Sequence, residues 1–129
     1  MKLYIAVGIG GVIGTILRYL ISVIFTNNSI TTFPWATFIV NITGAFLLTW
    51  IIFQPFFVRR LDPIIFVALT TGLLGSYTTF STLILEATFL LHHQMITGVL
   101  YIGVTIFGGL LACCLGYIVA MKTNRNGVI

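Results

Sequence analysis

The sequence predicts an all-α integral membrane protein of four transmembrane helices, the third of them broken. Three observations predict it. The 129 residues are 59% hydrophobic and 6% charged, with a mean hydropathy of +1.16. A soluble chain this short has no interior large enough to hide that much apolar surface. The apolar residues fall into four stretches, each long enough to cross a hydrocarbon layer of about 30 Å. Five of the six Lys and Arg residues lie in segments that four crossings would place on one side.

The first stretch, Leu3–Phe25, begins too early and runs too long for a cleaved signal peptide. Gly10 and Gly14 form a small-xxx-small pair, a spacing that lets helix backbones approach closely. The pair serves packing within the chain or at an interface between chains. Arg18 is the one basic residue well inside a stretch. Its charge requires protein, water or a snorkelling route to the surface.

The second stretch, Trp35–Val58, carries Asn41 early on, with Thr37 one turn before it. An Asn side chain has two N–H donors and no charge. Such donors replace part of an anion's hydration shell without trapping the ion. The alternative is an interhelical hydrogen bond worth ~1 kcal/mol.

The third stretch, Pro63–Leu91, contains the run Thr70-Thr71-Gly72-Leu73-Leu74-Gly75-Ser76-Tyr77-Thr78-Thr79-Phe80-Ser81-Thr82. Hydrocarbon penalises each unpaired polar group by several kcal/mol, so this run must face protein, water or ions. Gly72 and Gly75 weaken the helix, and the hydroxyls of Thr78 and Thr79 compete for backbone carbonyls. The stretch is also longer than a straight crossing needs. These features predict a break near Gly75–Thr78. A broken helix exposes carbonyl oxygens at mid-membrane, where they suit a hard cation. Phe80 follows at once, and an aromatic ring has a positive edge that can face an anion. A polar span without a break, packed on its neighbours, is the alternative. Glu86 is the one acidic residue inside a stretch.

The fourth stretch, Ile96–Met121, has a second small-residue row in Gly108, Ala112 and Gly116. Cys113 and Cys114 are neighbours, where a disulfide is strained, and two thiols are too few for a metal centre. They read as packing residues. His92 and His93 read as an interfacial loop. The whole chain, 1–129, reads as a single transmembrane domain without linker, tail or strong repeat.

Charge follows topology. Lys2, Arg59, Arg60, Lys122 and Arg125 share one side, whereas Thr26–Pro34 and His92–Gln94 hold no Lys or Arg. The positive-inside rule places both termini in the cytoplasm. This pattern explains the net charge of +4 without a nucleic-acid partner. Asp62 is a loop charge at a helix start. The chain holds no metalloprotease, phosphate-loop or nucleophile–base motif, and an enzyme is not expected.

Three segments carry a resemblance. Gly10-Gly11-x-x-Gly14-x-x-x-Arg18-Tyr19 comes first. Pro34-Trp35-x-Thr37-x-x-Val40-Asn41-x-x-Gly44 follows. Thr71-Gly72-x-x-Gly75-x-x-Thr78-Thr79-Phe80-Ser81-Thr82 is third. In this order and spacing they resemble the signatures of the Fluc/CrcB fluoride channel family, over essentially the whole chain. The resemblance implies an antiparallel, dual-topology-type dimer of four-helix subunits in a bacterial plasma membrane. Its two pores let fluoride leave the cell passively and relieve fluoride toxicity. It implies a structural Na+, not transported, held by the backbone carbonyls of Gly75 and Thr78. It assigns the pore to Asn41 and Phe80, with Ser81 and Thr82 as nearby donors. A row along the fourth helix maps onto Thr105, Gly109 and Cys113, with Tyr101 and Thr105 keeping one end polar.

The departures are specific. Leu83 stands where the family has a second phenylalanine, and Gly109 and Cys113 thin out the polar row. Ala36 and Ser76 stand where glycine is common. Members of the family that insert in both orientations need little charge bias, and this chain has a strong one. Worn pore residues and fixed orientation together point to one subunit of a heterodimer with a homologous antiparallel partner, surrounded by lipid. A homodimer is the alternative. A small multidrug-resistance-type transporter would need a carboxylate in the first helix, where this chain has Arg18. A non-transporting membrane subunit would explain the glycines but not Asn41 together with the polar run.

Overall fold

The computed structural model describes residues 1–25 and 33–125. Most of the loop Thr26–Pro34, the side chain of Arg125 and the residues after it lie outside that description. Four helical stretches are long and apolar enough to cross a membrane: Lys2–Ile24, Trp35–Phe53, Pro63–His93 and Met95–Asn124. Large apolar side chains such as Ile9, Val12, Ile16, Phe107 and Leu111 point outward, each at least half exposed. Only a lipid surround removes that surface from water.

Helix α1 (Lys2–Ile24) is uninterrupted. Helix α2 (Trp35–Phe53) stops earlier than Val58 because Gln54 precedes Pro55. The ring of a proline drives its predecessor out of the helical region, and Gln54 is extended at ψ 113°. Pro55 then opens a separate short helix, α3 (Pro55–Arg60). Asp62 starts the third crossing by accepting the Ile64 N–H at 2.8 Å, an N-cap in the usual geometry.

That crossing is composite. Helix α4 (Pro63–Val67) widens into a π-helical segment (Ala68–Leu74), narrows again as α5 (Gly75–Tyr77), and opens at Thr78. Helix α6 (Ser81–His93) completes it. The break falls at the C-terminal edge of the segment the sequence indicates. Gly75 is still helical, and Thr78 is extended at ψ 157°. The π-helical turn hands its spare residue to the same region, a placement frequent at functional sites. A turn at Gln94 leads into α7 (Met95–Arg125), longer at both ends than Ile96–Met121.

Packing follows the glycines. Helix α1 lies along the π-helical segment and α5, and α2 lies along α7, which also carries α6. Gly10 is buried against the Ala68 carbonyl, and Gly14 against the Leu73 carbonyl and the Tyr77 N–H. Both glycines therefore serve packing within the chain. From the far side, Gly72 meets the Val7 backbone. Gly108 abuts Ile42, and Gly116 abuts the Phe46 carbonyl. Gly44 makes room for Thr78 and Tyr77. Two apolar clusters result. Val40, Leu74 and Tyr77 form one; Leu83, Ala87, Leu90 and Tyr101 form the other.

Candidate functional site

The break between α5 and α6 is bridged by one side chain. Asn41 on α2 donates Nδ2–H to the Thr79 carbonyl at 2.9 Å, and its Oδ1 accepts the Thr79 N–H at 2.8 Å. The amide thus substitutes for both partners that a continuous helix would have given Thr79. Asn41 keeps a second Nδ2–H beyond these two bonds.

Two carbonyls lose their helical donors in consequence. In an unbroken helix Gly75 O would take the Thr79 N–H, which goes to Asn41 instead. Thr78 O would take the Thr82 N–H, which goes to Thr79 Oγ1 at 3.3 Å. Gly75 is also exposed on the outer surface of the chain. Among the described residues no three His, Cys, Asp or Glu side chains converge to hold a metal. A cation at this place would rest on neutral carbonyl oxygens, a donor set that fits Na+.

Two concavities meet at Thr79. The first, a cavity of about 320 Å³, is bordered by Arg18, Thr37, Thr79, Thr82 and Glu86. Thr79 Oγ1 donates to Thr82 Oγ1 at 3.0 Å and lies 3.3 Å from Ser81 Oγ. Glu86 is held from two sides: Thr37 Oγ1–H donates to Oε1 at 2.9 Å, and the Tyr101 hydroxyl donates to Oε2 at 2.7 Å. Arg18 is half-buried on α1 at the rim of this cavity. The one intramembrane acid and the one intramembrane base therefore share a polar space, as their cost in lipid requires.

The second is an open groove of about 360 Å³, bordered by Asn41, Phe80, Leu83, Thr105, Gly109 and Cys113. Phe80 is 73% exposed, so its ring faces away from the body of its own chain. Thr105 is buried, and its hydroxyl donates to the Tyr101 carbonyl at 2.7 Å. That bond occupies its proton and leaves it an acceptor. Cys113 Sγ lies 3.7 Å from the Ala45 carbonyl, and nothing stands within 4 Å of a Cβ at Gly109. Leu83 packs in the core with Tyr101 and borders the groove from that side.

The structure thus brings Asn41, Phe80 and Thr105 to the groove and Thr82 and Arg18 to the cavity, with Ser81 exposed and its hydroxyl near that of Thr79. Thr78 Oγ1 donates to the Leu74 carbonyl as the sequence suggests, but Thr79 Oγ1 meets side-chain hydroxyls instead, and the Thr37–Glu86–Tyr101 set escapes reading by sequence. The signal for the latter was present, because an intramembrane acid needs donors and Thr37 and Tyr101 were on the neighbouring stretches.

A family model described as CrcB-like protein, Camphor Resistance (CrcB), matches residues 5–117. The chain belongs to the CrcB-like family. Among its relatives is a protein from Geobacillus kaustophilus named fluoride-specific ion channel FluC 2, 41% identical over 97% of this chain and 98% of that one. A FluC 1 of the same description from Desulfitobacterium hafniense is 40% identical over 88% of this chain and 98% of its own. A Rhizobium meliloti FluC is 38% identical over 90% and 94%. In this CrcB-like chain the three signature segments converge: the first packs α1 onto the π-helical segment, the second supplies Asn41, and the third is the break itself.

Proposed function

We propose that this chain forms a fluoride-selective channel that lets the ion leave the cell passively down its gradient. One observation carries the reading: Asn41 holds open a helix break that presents Phe80 and a mainly apolar groove, into which Asn41 and Thr105 bring polar atoms, on the outside of the subunit. Fluoride is small and tightly hydrated, so its path needs fixed donors in place of water. The remaining Nδ2–H of Asn41 and the ring edge of Phe80 supply them at the groove without a fixed positive charge, and the hydroxyls of Ser81 and Thr82 lie on the other side of Thr79, toward the cavity. The family of the relatives named fluoride-specific channels supports the substrate.

Phe80, Ser81 and Gly75 are exposed at the depth of the break, where lipid would penalise the polar groups. A second subunit covering this face removes that penalty. The five-to-none charge bias favours one insertion orientation, with both termini in the cytoplasm. An antiparallel partner must then be a homologous chain of opposite bias. Gly75 and Thr78 carbonyls from the two subunits would hold a structural Na+. That cation offsets part of the cost of an anion in a low-dielectric site.

Fluoride efflux from liposomes tests this. Flux is expected when the chain is reconstituted with its nearest homologue from the same genome. Equal flux from the chain alone establishes a homodimer, and no flux in either preparation overturns the reading. A further variant tests the groove. Gly109→Ser adds a hydroxyl where a Cβ meets nothing within 4 Å. It is expected to leave the fold intact and raise fluoride flux about fivefold, the equivalent of one hydrogen bond of about 1 kcal/mol. Unchanged flux would remove Gly109 from the ion path.

A further inference from the structure

Helix α3 has no part in the ion path, yet its six residues are sorted by chemistry. Phe57 turns inward, its ring centroid 5.3 Å from that of Trp50 on α2. Phe56 and Val58 remain 45% and 54% exposed. Arg59 and Arg60 are exposed as well and lie three and four residues after Phe56, on the same helical face. Exposed apolar side chains beside two guanidinium groups suit a membrane interface, where the rings enter the acyl boundary and the long cationic side chains reach the headgroups.

An apolar groove of about 430 Å³ opens at the same end of the molecule, between Thr49 and Phe53 on α2 and Cys113, Cys114, Tyr117 and Ile118 on α7, with Cys113 at its border with the ion groove. Phe53 and Tyr117 meet edge-on at 5.0 Å across it. Lys122 follows Tyr117 by little more than a helical turn, about 7.5 Å. Arg59, Arg60 and Lys122 therefore share the end of the molecule at which the groove opens. The one acid in the neighbourhood, Asp62, has an oxygen committed to the Ile64 N–H.

We infer that α3 and this groove seat an anionic phospholipid. One acyl chain lies along Phe53 and Tyr117, and the phosphate lies against Arg59, Arg60 and Lys122. Charge chooses the occupant. A zwitterionic lipid leaves the excess of positive charge uncompensated. A second copy docked through the same face would set like charges against each other. The anionic leaflet that attracts these cations is the cytoplasmic one. The seat thus supplies a physical reason for the fixed orientation proposed above, on which it does not depend.

Quenching of Trp50 fluorescence by brominated lipids tests the seat. The Trp35→Phe chain is reconstituted in vesicles with brominated phosphatidylglycerol or brominated phosphatidylcholine in both leaflets, so insertion direction does not matter. Phosphatidylglycerol is expected to compete at least about tenfold better at Trp50, because each cation near an anionic surface favours it. Arg59→Gln with Arg60→Gln and Lys122→Gln should bring the two lipids to parity. Salt of about 1 M should do the same in the parent chain, because screening then acts within a few ångström. Should Trp35→Phe fail to fold, the unaltered chain with and without salt reads the same ratio. Equal quenching by both lipids, the pattern of a face covered by protein or by lipid of any kind, overturns the inference. So does a preference that survives loss of all three cations. Neither result touches fluoride flux, so failure here is distinguishable from failure of the channel reading.

Discussion

Asn41→Ala is expected to reduce fluoride flux at least about a hundredfold and to destabilise the subunit by about 2 kcal/mol. Both effects have one cause. The Asn41 amide makes two hydrogen bonds to the backbone of Thr79. Truncation orphans a backbone N–H and a carbonyl in a site shielded from water, at roughly 1–3 kcal/mol for each. The chain can recover them by closing α5 onto α6 as a continuous helix. That closure would restore helical donors to the Gly75 and Thr78 carbonyls and turn Phe80 away from the groove. Flux in liposomes and thermal unfolding in detergent separate the contributions. Lost flux with unchanged stability would make Asn41 an anion donor only. Unchanged flux would exclude it from the pathway. Asn41→Asp sharpens the comparison, since Asp still accepts the Thr79 N–H but cannot donate to its carbonyl and places negative charge in the path of an anion. It is expected to abolish flux as fully as alanine does.

Gly14→Val has the largest expected effect on the fold. A Cβ at Gly14 would collide with the Leu73 carbonyl and stand 3.1 Å from the Tyr77 nitrogen. Both are backbone atoms of the crossing that carries the break, so neither can rotate away. Separating α1 from that crossing would expose Leu73 and disturb Tyr77, whose hydroxyl lies 2.9 Å from Thr43 Oγ1. Overpacking of this kind costs about 3 kcal/mol or more when backbone must shift. Loss of monodisperse protein after detergent extraction is the expected readout. Gly8→Ala is the control, because nothing lies within 4 Å of its Cβ position. If Gly14→Val extracts and melts like Gly8→Ala, the close approach of α1 does not hold the crossing in place.

Much of this architecture is legible in one dimension, for identifiable reasons. A membrane span is a local property: about 20 apolar residues and the charges at their ends suffice to recognise it. Glycine spacing is local too, and it marked Gly10, Gly14, Gly108 and Gly116 as points of close approach. Which partner each would meet was not local. Gly10 and Gly14 allowed an interface between chains equally well, and only the placement of α1 against Ala68 and Leu73 made them internal. The end of α2 was misplaced at Val58 because hydropathy continues through Pro55-Phe56-Phe57-Val58. Backbone sterics at Gln54 stop the helix while hydropathy does not.

The site divides along the same line. Residue chemistry alone marked Asn41 as a donor at membrane depth and Thr70–Thr82 as a segment unable to face lipid. It also indicated a break, because glycines, hydroxyls and excess length all act within a few turns. The tertiary structure decided what those residues do to one another. Asn41 and Thr79 are 38 positions apart, and Thr37 and Glu86 are 49 apart. No periodicity along the chain encodes such pairs. They form because the groups have no water to turn to in the membrane, so each polar atom must find its partner on whichever helix packing brings beside it.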